Sequence, residues 1–449
     1  MRSVRFMVLI LFLVSGFSPG AVWADDAALL QRVEALENEL KILKRQLEIR
    51  KEDEDKKKVE TPVITASSKD GFSIKSPDDA FKLKVRGLLN VDGRFFTDNK
   101  KDIGTTDTFL VRRARPIFEG TVYKNFGFYI VPELGGGSLS LVDGYVDYLH
   151  APEFKIRAGK FKEPFHLERL QSIAAANFVE LGLPANLSPN RDVGVQVYGD
   201  LWNESLSYAV GIFNGSADQG SSGSTDVDTN NDKDVAGRIF VHPFKNTDYD
   251  GLRGLGIGVA ATHGHKEGGT LPTFRSPGQA SVFTFNSGVT ADGPHTRFSP
   301  QAYWYWNSFG VLGEYVVSNQ ELIRGAVSDR FENKAWQISG TYVLTGEDAS
   351  FKGVKPRKPF DPSLNQWGAW EIAVRYGELD LDNEFFVKNF STHTSISGES
   401  AWAAGLSWYL NNNARIMLDY ERTDFQNGGP RGEDRDTENI IFTRFQLAY

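Results

Sequence analysis

Hydrophobic and polar residues alternate along most of the chain from about residue 80 to the C-terminus. Between residues 81 and 95 the apolar side chains take odd positions, and the mainly basic polar side chains take even positions. Near the C-terminus, Phe445, Leu447 and Tyr449 share one parity, while Arg444 and Gln446 share the other. Successive side chains of a β-strand point to opposite faces of the sheet. Each such segment therefore predicts a strand with one apolar face and one hydrated face.

The two-residue period recurs in sixteen segments, an even number that is typical of bacterial outer-membrane barrels. These segments are residues 80–95, 107–124, 126–135, 139–150, 154–161, 191–201, 204–214, 234–243, 253–265, 296–306, 309–320, 331–345, 366–378, 399–410, 413–425 and 437–449. The predicted fold is all-β, an antiparallel transmembrane β-barrel of about 16 strands that occupies residues 78–449.

The connections between the predicted strands differ in length. Short turns at 124–125 and 411–413 are expected to face the periplasm. Long segments at 215–233, 266–295 and 346–365 are rich in Gly, Ser, Asp and Pro, and we expect them to face outside.

One long connection, residues 163–190, is unusually apolar for a loop on the surface. Its apolar residues include Phe165, Leu167, Leu170, Ile173, Phe178, Leu181 and Leu183. A barrel of about sixteen strands encloses an aqueous channel, so its inner wall is available for such a segment to pack against. The composition predicts an inward-folded constriction loop with a short helix at its centre, over residues 171–180.

Other patterns occupy the N-terminal part. Two arginines precede an apolar run over 6–17 and a small-x-small site at 22–24, which predicts a signal peptide over residues 1–24. The signal indicates export through the periplasm, with the outer membrane of a Gram-negative bacterium as the destination. Residues 25–50 carry apolar side chains at alternating spacings of four and three, which predicts a periplasmic coiled-coil helix. A dense charge run makes residues 51–77 a predicted solvated linker.

Composition narrows the classes of function. The chain contains no cysteine, so neither disulfides nor thiol chemistry contribute. Its net charge of −8 argues against nucleic acid as a partner. The seven histidines are scattered along the sequence, and none lies in a cluster of Asp and Glu residues. We therefore expect no enzyme activity, no cofactor and no metal site.

Basic residues with the parity of the hydrated face are numerous. They are Lys82, Lys84, Arg86, Arg94, Arg113, Arg115, Lys155, Arg157, Arg238, Arg375, Arg415 and Arg444. Cations along a narrow passage concentrate anions, and the planar fork of arginine pairs with two oxygens of an oxyanion. The alternative is a porin whose arginines face the acidic loop residues Glu163, Glu168 and Glu180 and only polarise the channel.

Four motifs of the barrel segments resemble one family, the phosphate-selective porins O and P. The motifs are FLVRRARPIFEGTVYK at 109–124, AGKFKEPFHLE at 158–168, YVLTGE at 342–347 and WGAWEIAVRY at 367–376. The resemblance covers about residues 78–449. It implies a sixteen-stranded trimeric outer-membrane channel that passes phosphate or polyphosphate, and an N-terminal coiled coil is a known elaboration among such relatives.

The resemblance also implies site residues. Arg112 and Arg113 match the family's arginine pair, Asp143 matches an acidic residue of the wall, and Arg169 takes the place of a basic binding residue. Leu88 and Leu181 stand where arginines are expected, whereas Lys162 and Arg115 replace other constriction residues. The expected constriction and anion-binding residues are Arg112, Arg113, Arg115, Asp143, Lys162 and Arg169, with Arg86, Arg94 and Arg157 as an approach ladder. Adjacent residues of a regular strand point to opposite faces, so Arg112 and Arg113 can both face the lumen only at a bulge.

The predicted function is diffusion of phosphate or related small oxyanions through a water-filled, anion-selective outer-membrane porin. The expected partners are outer-membrane lipid, small anions and two further copies of the chain in a homotrimer. A general or differently selective porin is the first alternative. A porin that is also an envelope tether, through binding of the coiled coil to peptidoglycan or a periplasmic partner, is the second.

Overall fold

The computed structural model describes residues 26–67, 71–97, 106–137, 139–221, 231–268, 271–429 and 432–449. The chain divides into two compact units, Met1–Thr61 and Pro62–Tyr449. The predicted signal peptide, residues 1–24, lies outside the described residues.

The first unit is a single described helix, α1 (Asp26–Glu60). Its seam residues, from Leu29 to Leu47, are 48% to 64% exposed. The helix continues ten residues beyond residue 50, where the predicted coiled coil ends. Lys and Glu are good helix formers, and α1 ends two residues before Pro62, which disfavours helical backbone in the preceding residue. Among the described residues, no helix is long and apolar enough to cross a membrane.

The described part of the second unit contains eighteen strands. They are β1 (Val63–Ser67), β2 (Gly71–Lys75), β3 (Lys82–Phe96), β4 (Thr108–Val122), β5 (Phe126–Glu133), β6 (Ser140–Ala151), β7 (Phe154–Lys162), β8 (Arg191–Leu201), β9 (Leu206–Phe213), β10 (Asp234–Val241), β11 (Leu255–Glu267), β12 (Val289–Trp306), β13 (Phe309–Arg324), β14 (Val327–Val343), β15 (Ala369–Asp380), β16 (Ile396–Tyr409), β17 (Ala414–Asn427) and β18 (Glu438–Ala448). Two short helices are α2 (Leu167–Leu170) and α3 (Glu384–Val387), and 3-10 turns span Gly135–Gly137, Ile173–Ala175, Leu183–Leu187, Asp250–Leu252 and Pro362–Leu364.

Strands β3 to β18 form a closed antiparallel barrel of 16 strands. Each strand pairs with the next, and β18 returns to pair with β3 from Leu88 to Phe96. Closure leaves no exposed sheet edge in this part of the wall. The predicted all-β barrel and its number of strands are confirmed.

A hairpin of β1 and β2 precedes the barrel. β2 pairs with β3 from Lys82 to Val85, directly before the part of β3 that β18 covers. The hairpin therefore supplies hydrogen-bond partners for the first residues of β3, which β18 does not reach. Without these partners, the first residues of β3 would form an open strand edge. Residues 63–67 and 71–75 are consequently part of the barrel unit rather than of the predicted linker.

The outer face of the wall is apolar. Exposed side chains on alternate positions of neighbouring strands include Val195, Val210, Ile212, Ile239, Ile257, Ile338, Ile372, Val374 and Leu418. Aromatic rings such as Trp306 and Trp367 are exposed near strand ends. An apolar band flanked by aromatic rings is the outer surface that a lipid bilayer requires of a barrel.

The connection 344–368 contains the segment 346–365 and lies at the same end of the barrel as the turns that follow β12 and β16, so the predicted outside position of 346–365 is wrong. The Ala349 N–H donates to the carbonyl of Asn307 at 2.7 Å, and the Phe360 N–H donates to that of Leu410 at 2.6 Å. Asn307 and Leu410 belong to the short turns that follow β12 and β16. In an up-and-down barrel, the number of preceding strands decides the end at which a connection lies, whatever its length.

The lumen beside β11 to β17 is filled. Residues of three connections (163–190, 271–288 and 381–395) form one apolar cluster with the inner face of these strands. The connections contribute Phe165, Leu183, Leu187, Phe274, Val282, Phe283, Phe385 and Phe390. Open space is therefore left on the side of β3 to β10.

Candidate anion site in the lumen

The segment 163–190 is held by side chains of the inner wall. Glu314 on β13 accepts hydrogen bonds from the backbone N–H of Leu167 at 2.9 Å and of Glu168 at 3.4 Å. Asp419 on β17 accepts one from Val179 at 2.6 Å. These buried carboxylates satisfy backbone donors that have no partner in a helix or sheet.

Residues 171–180 are not the predicted helix. Only a 3-10 turn, Ile173–Ala175, lies within them, while α2 precedes them. Apart from this turn, residues 171–180 have no regular secondary structure, and wall side chains bind their carbonyl groups. Arg415 donates to the carbonyl of Ala176, and Arg375 donates to that of Glu180, at 2.9 and 3.0 Å. Tertiary hydrogen bonds therefore replace the helical ones.

Between this segment, β4, β7 and the connection 271–288 lies a cavity of about 260 Å³, called here the first cavity. Five of the residues predicted for the constriction line it: Arg112, Arg113, Arg115, Lys162 and Arg169. Residues from two strands and one loop, far apart in sequence, thus converge on one space.

A β-bulge explains how both Arg112 and Arg113 reach the first cavity. The β3–β4 register pairs Asn90 with Arg113 and Val91 with Val111, which leaves Arg112 as the extra residue. A bulge changes the direction of side chains that would otherwise point alternately to the two faces of the sheet. The condition under which the arginine pair can share one face is therefore met.

Some cations of the site are paired with carboxylates. Glu180 accepts hydrogen bonds from Arg94 at 2.9 Å and from Arg112 at 3.0 Å, and Arg115 pairs with Glu133 at 2.6 Å. Burial raises the pKa of Glu180, but Arg112 and Arg113 outweigh it and hold this pKa at about 2. Glu180 is therefore ionised at neutral pH and offsets one positive charge.

Four cations at the first cavity form no salt bridge with any carboxylate in the part of the chain that the structure describes. Lys162 donates to the carbonyl of Gln171, Arg169 to that of Ala185 and Arg275 to that of Gln279, at 3.0 to 3.1 Å. Within the described ranges, no carboxylate lies within 4.0 Å of the charged nitrogens of these three residues or of Arg113. Burial, followed by the charge of Arg191, lowers the pKa of Arg169 to about 10, so it remains charged at neutral pH.

Two lining cations, Arg191 and Arg275, were not predicted. Arg191 has the parity of the outward-facing Val195, so alternation points it away from the lumen. As the first residue of β8, it instead binds both oxygens of Asp143, at 3.0 and 3.3 Å. Arg275 lies in a connection without strand periodicity, and no local signal could have placed it.

A second cavity of about 660 Å³ adjoins the first. The two share Arg115, Lys162, Ile173 and Arg191 in their linings. Of the remaining predicted residues, Asp143, Arg86 and Arg157 line the second cavity, whereas Arg94 lines neither of the two.

The cations predicted on the last strands do not face open space. Arg375, Arg415 and Arg444 are at most 5% exposed. Arg444 binds Asp92 through two hydrogen bonds of 2.7 Å, and Arg375 pairs with Glu421 at 3.0 Å. These residues do face the inside of the barrel, as their parity predicted, but the loops inside the barrel cover this wall, so the strand cations that line the two cavities lie on one side.

One buried group among the described residues has the composition of a metal site: His166, Glu168 and Glu314. The Nδ1 of His166 accepts a hydrogen bond from the N–H of Arg169 at 2.9 Å, which leaves the proton of a neutral ring on Nε2. Glu314 already accepts three hydrogen bonds, from Leu167, Glu168 and Gln337. The group therefore fits an anchor for the loop better than a metal site.

A closed barrel with an apolar outer face and a cation-lined lumen defines the class of outer-membrane porins. The family model for phosphate-selective porin O and P matches residues 81–449. The chain belongs to this family. No curated protein sequence matches it.

Solved structures share the fold at low sequence identity. The outer-membrane channel DcaP of Acinetobacter baumannii is 11% identical, with 84% of this chain and 99% of that chain covered and a TM-score of 0.55. The anion-selective porin from Comamonas acidovorans is 10% identical, with 82% and 100% covered and a TM-score of 0.53. OmpT of Vibrio cholerae in a trimer form is 12% identical, with 83% and 100% covered and a TM-score of 0.51.

Proposed function

We propose that this porin is an anion-selective channel through which phosphate or related small oxyanions diffuse across the outer membrane. The observation that carries the proposal is the set of four cations at the first cavity that have no salt-bridge partner among the described carboxylates. Uncompensated positive charge in a narrow passage concentrates anions and opposes cations. Three of the four are arginines, whose planar donors suit the oxygens of phosphate.

The alternative in which the arginines only polarise the channel finds less support. It requires a free acidic loop face opposite the arginines. Glu168 and Glu180 do line the first cavity, whereas Glu163 lines neither cavity. Glu180 is occupied by Arg94 and Arg112, and Glu168 lies 3.4 Å from a nitrogen of Arg375. Burial raises the pKa of Glu163 to about 8, so this carboxyl group is largely uncharged at neutral pH.

Planar-bilayer recordings of the purified porin test the proposal. We expect reversal potentials that favour chloride over potassium, and block of the chloride current by phosphate at low millimolar concentrations. Lys162→Gln should weaken the phosphate block roughly tenfold or more, because a charge-assisted hydrogen bond is lost. The matched control, Lys41→Gln in the exposed helix α1, should leave the block unchanged.

Equal permeation of potassium and chloride would contradict anion selectivity. Selectivity without a phosphate block would contradict only the choice of phosphate.

We also propose a homotrimer. OmpT of Vibrio cholerae has a trimer form, and α1 offers an unpartnered apolar seam. In a parallel coiled coil, the seam places Arg32 near Glu37 and Glu39 near Lys44 of a neighbouring helix, so opposite charges flank it. Such a coiled coil would also serve as an envelope tether, which is the second alternative function predicted from the sequence.

Thermal dissociation of the detergent-solubilised trimer, followed by sedimentation, tests the assembly. The double variant Leu36→Asp/Leu43→Asp should lower the thermal stability of the trimer, whereas Lys41→Gln should not. Deletion of residues 26–58 should reduce co-sedimentation with peptidoglycan if the helix is a tether, and unchanged attachment would rule the tether out.

A further inference from the structure

The two lumen cavities differ in their linings. The first cavity is lined mainly by charged and polar side chains. The second cavity is larger, and rings and aliphatic side chains form much of its wall. These include Leu88, Ile117, Tyr129, Tyr145, Leu170 and Tyr198.

The charges of the second cavity are mostly offset. Arg86 pairs with Glu119 at 2.7 Å, and Arg157 donates to both oxygens of Asp147 at 2.8 and 3.0 Å. Lys162, which forms no salt bridge with a described carboxylate, lies at the wall that the two cavities share. Arg238 also lines the second cavity and donates to Gln301 rather than to a carboxylate. A negative group is attracted to the shared wall because Lys162 stands there with the other cations of the first cavity, and the space beside it offers apolar contact.

Inorganic phosphate would not use the apolar wall, because it has no apolar surface to cover. An anion with a small apolar body gains free energy when that body leaves water. The tyrosine rings add aromatic surface next to polar hydroxyl groups: Tyr129 and Tyr145 stack at 5.1 Å, and Arg157 lies 3.8 Å from the ring centre of Tyr145.

We infer that the second cavity accommodates the apolar body of small organic anions, phosphate monoesters above all, while Lys162, at the wall that the two cavities share, attracts the charged group. This inference rests on the proposed anion channel and extends its substrates to organic esters. The volume of about 660 Å³ is ample for one such body.

Block of the chloride current by three probes tests the inference: inorganic phosphate, methyl phosphate and phenyl phosphate. The two esters carry the same ionisable group and differ in the apolar body. We expect phenyl phosphate to block at concentrations roughly threefold to tenfold lower than methyl phosphate, the range expected for one buried ring.

Two single variants, Ile117→Ser and Tyr129→Ser, remove apolar surface from the second cavity. Each should bring the half-blocking concentration of phenyl phosphate to within about twofold of that of methyl phosphate. Neither residue lines the first cavity, so block by inorganic phosphate should remain unchanged. Tyr148→Ser, on the outward face of β6, is the control and should keep the preference for the phenyl ester.

Trimer mobility on gels without heating shows whether each variant folds, and Tyr129→Phe, which keeps the ring, should keep the preference. Equal block by the two esters in the unaltered porin would overturn the inference. A preference for the phenyl ester that survives both serine variants would also overturn it. If phenyl phosphate blocks through these residues while inorganic phosphate does not, the inference stands and the phosphate part of the proposed function fails.

Discussion

At the residue scale, pairing between charges decides which cations can act on an anion. Arg115 and Arg191 line both cavities, yet Glu133 and Asp143 offset them. Lys162 and Arg169 contact only carbonyl oxygens at comparable distances and form no ion pair with a carboxylate among the described residues. A count of basic residues in the sequence therefore overstates the positive charge that a permeating ion meets.

Asp143→Asn tests this distinction. The substitution leaves Arg191 without its carboxylate, so one more uncompensated cation would stand at the wall between the cavities. We expect phosphate to block chloride current at concentrations roughly threefold to tenfold lower. Asp329→Asn, at a partly exposed position of β14, is the control. An unchanged block would show that Arg191 does not contact permeating anions.

The buried carboxyl group of Glu163 gives a pH dependence of stability. Burial raises its pKa from 4.5 to about 8, so the folded chain retains a proton that the unfolded chain releases. The stability associated with this group is fully present below pH 4.5 and is lost as the pH rises to about 8. Glu163→Gln should flatten the change in thermal unfolding temperature between pH 5 and pH 8.

Glu153→Gln, at an exposed turn, is the control for this measurement and should preserve the slope of the native protein. The same slope in Glu163→Gln would assign the pH dependence to other groups.

At the element scale, the segment 163–190 owes its position to the wall rather than to its own helices. α2 has four residues, too few to be stable alone. The carboxylates of Glu314 and Asp419 hold the segment by its backbone N–H groups, and apolar packing of Phe165 and Leu187 adds to this.

Glu314→Ala removes the acceptor of two buried N–H groups, and each unsatisfied donor costs about 1–3 kcal/mol. We expect the segment to loosen, with a larger and noisier single-channel conductance and weaker phosphate block. Glu321→Ala, on the same strand, should leave both properties unchanged. Native conductance in Glu314→Ala would show that the remaining contacts hold the segment by themselves.

At the scale of the whole molecule, closure of the barrel depends on its last strand. β18 joins β17 to β3, and without it both neighbours would present open edges inside a membrane, where no water can satisfy them. Deletion of residues 438–449 should therefore abolish the folded barrel, detected as loss of the heat-modifiable band on gels. Deletion of residues 26–58, which lie in the other unit, should leave the band in place.

The alternation of residues predicted the strands well because each strand has one face toward lipid and one toward the lumen. Phe445 and Arg444 illustrate this, since the first is exposed outside and the second is buried inside. The bulge at Arg112 was expected only as a condition for the arginine pair. The position of 344–368 was wrong because its length was given more weight than the number of strands before it.

The sequence by itself determined the closed barrel, the helix that precedes it and five of the cations that meet at the first cavity. These follow from local periodicity and from the motifs of the family. Only the tertiary structure decided which cations are free, because the partners of Arg191, Arg375 and Arg444 lie on other strands or loops. Compensation of charge is a property of pairs in space, and a linear pattern does not contain it.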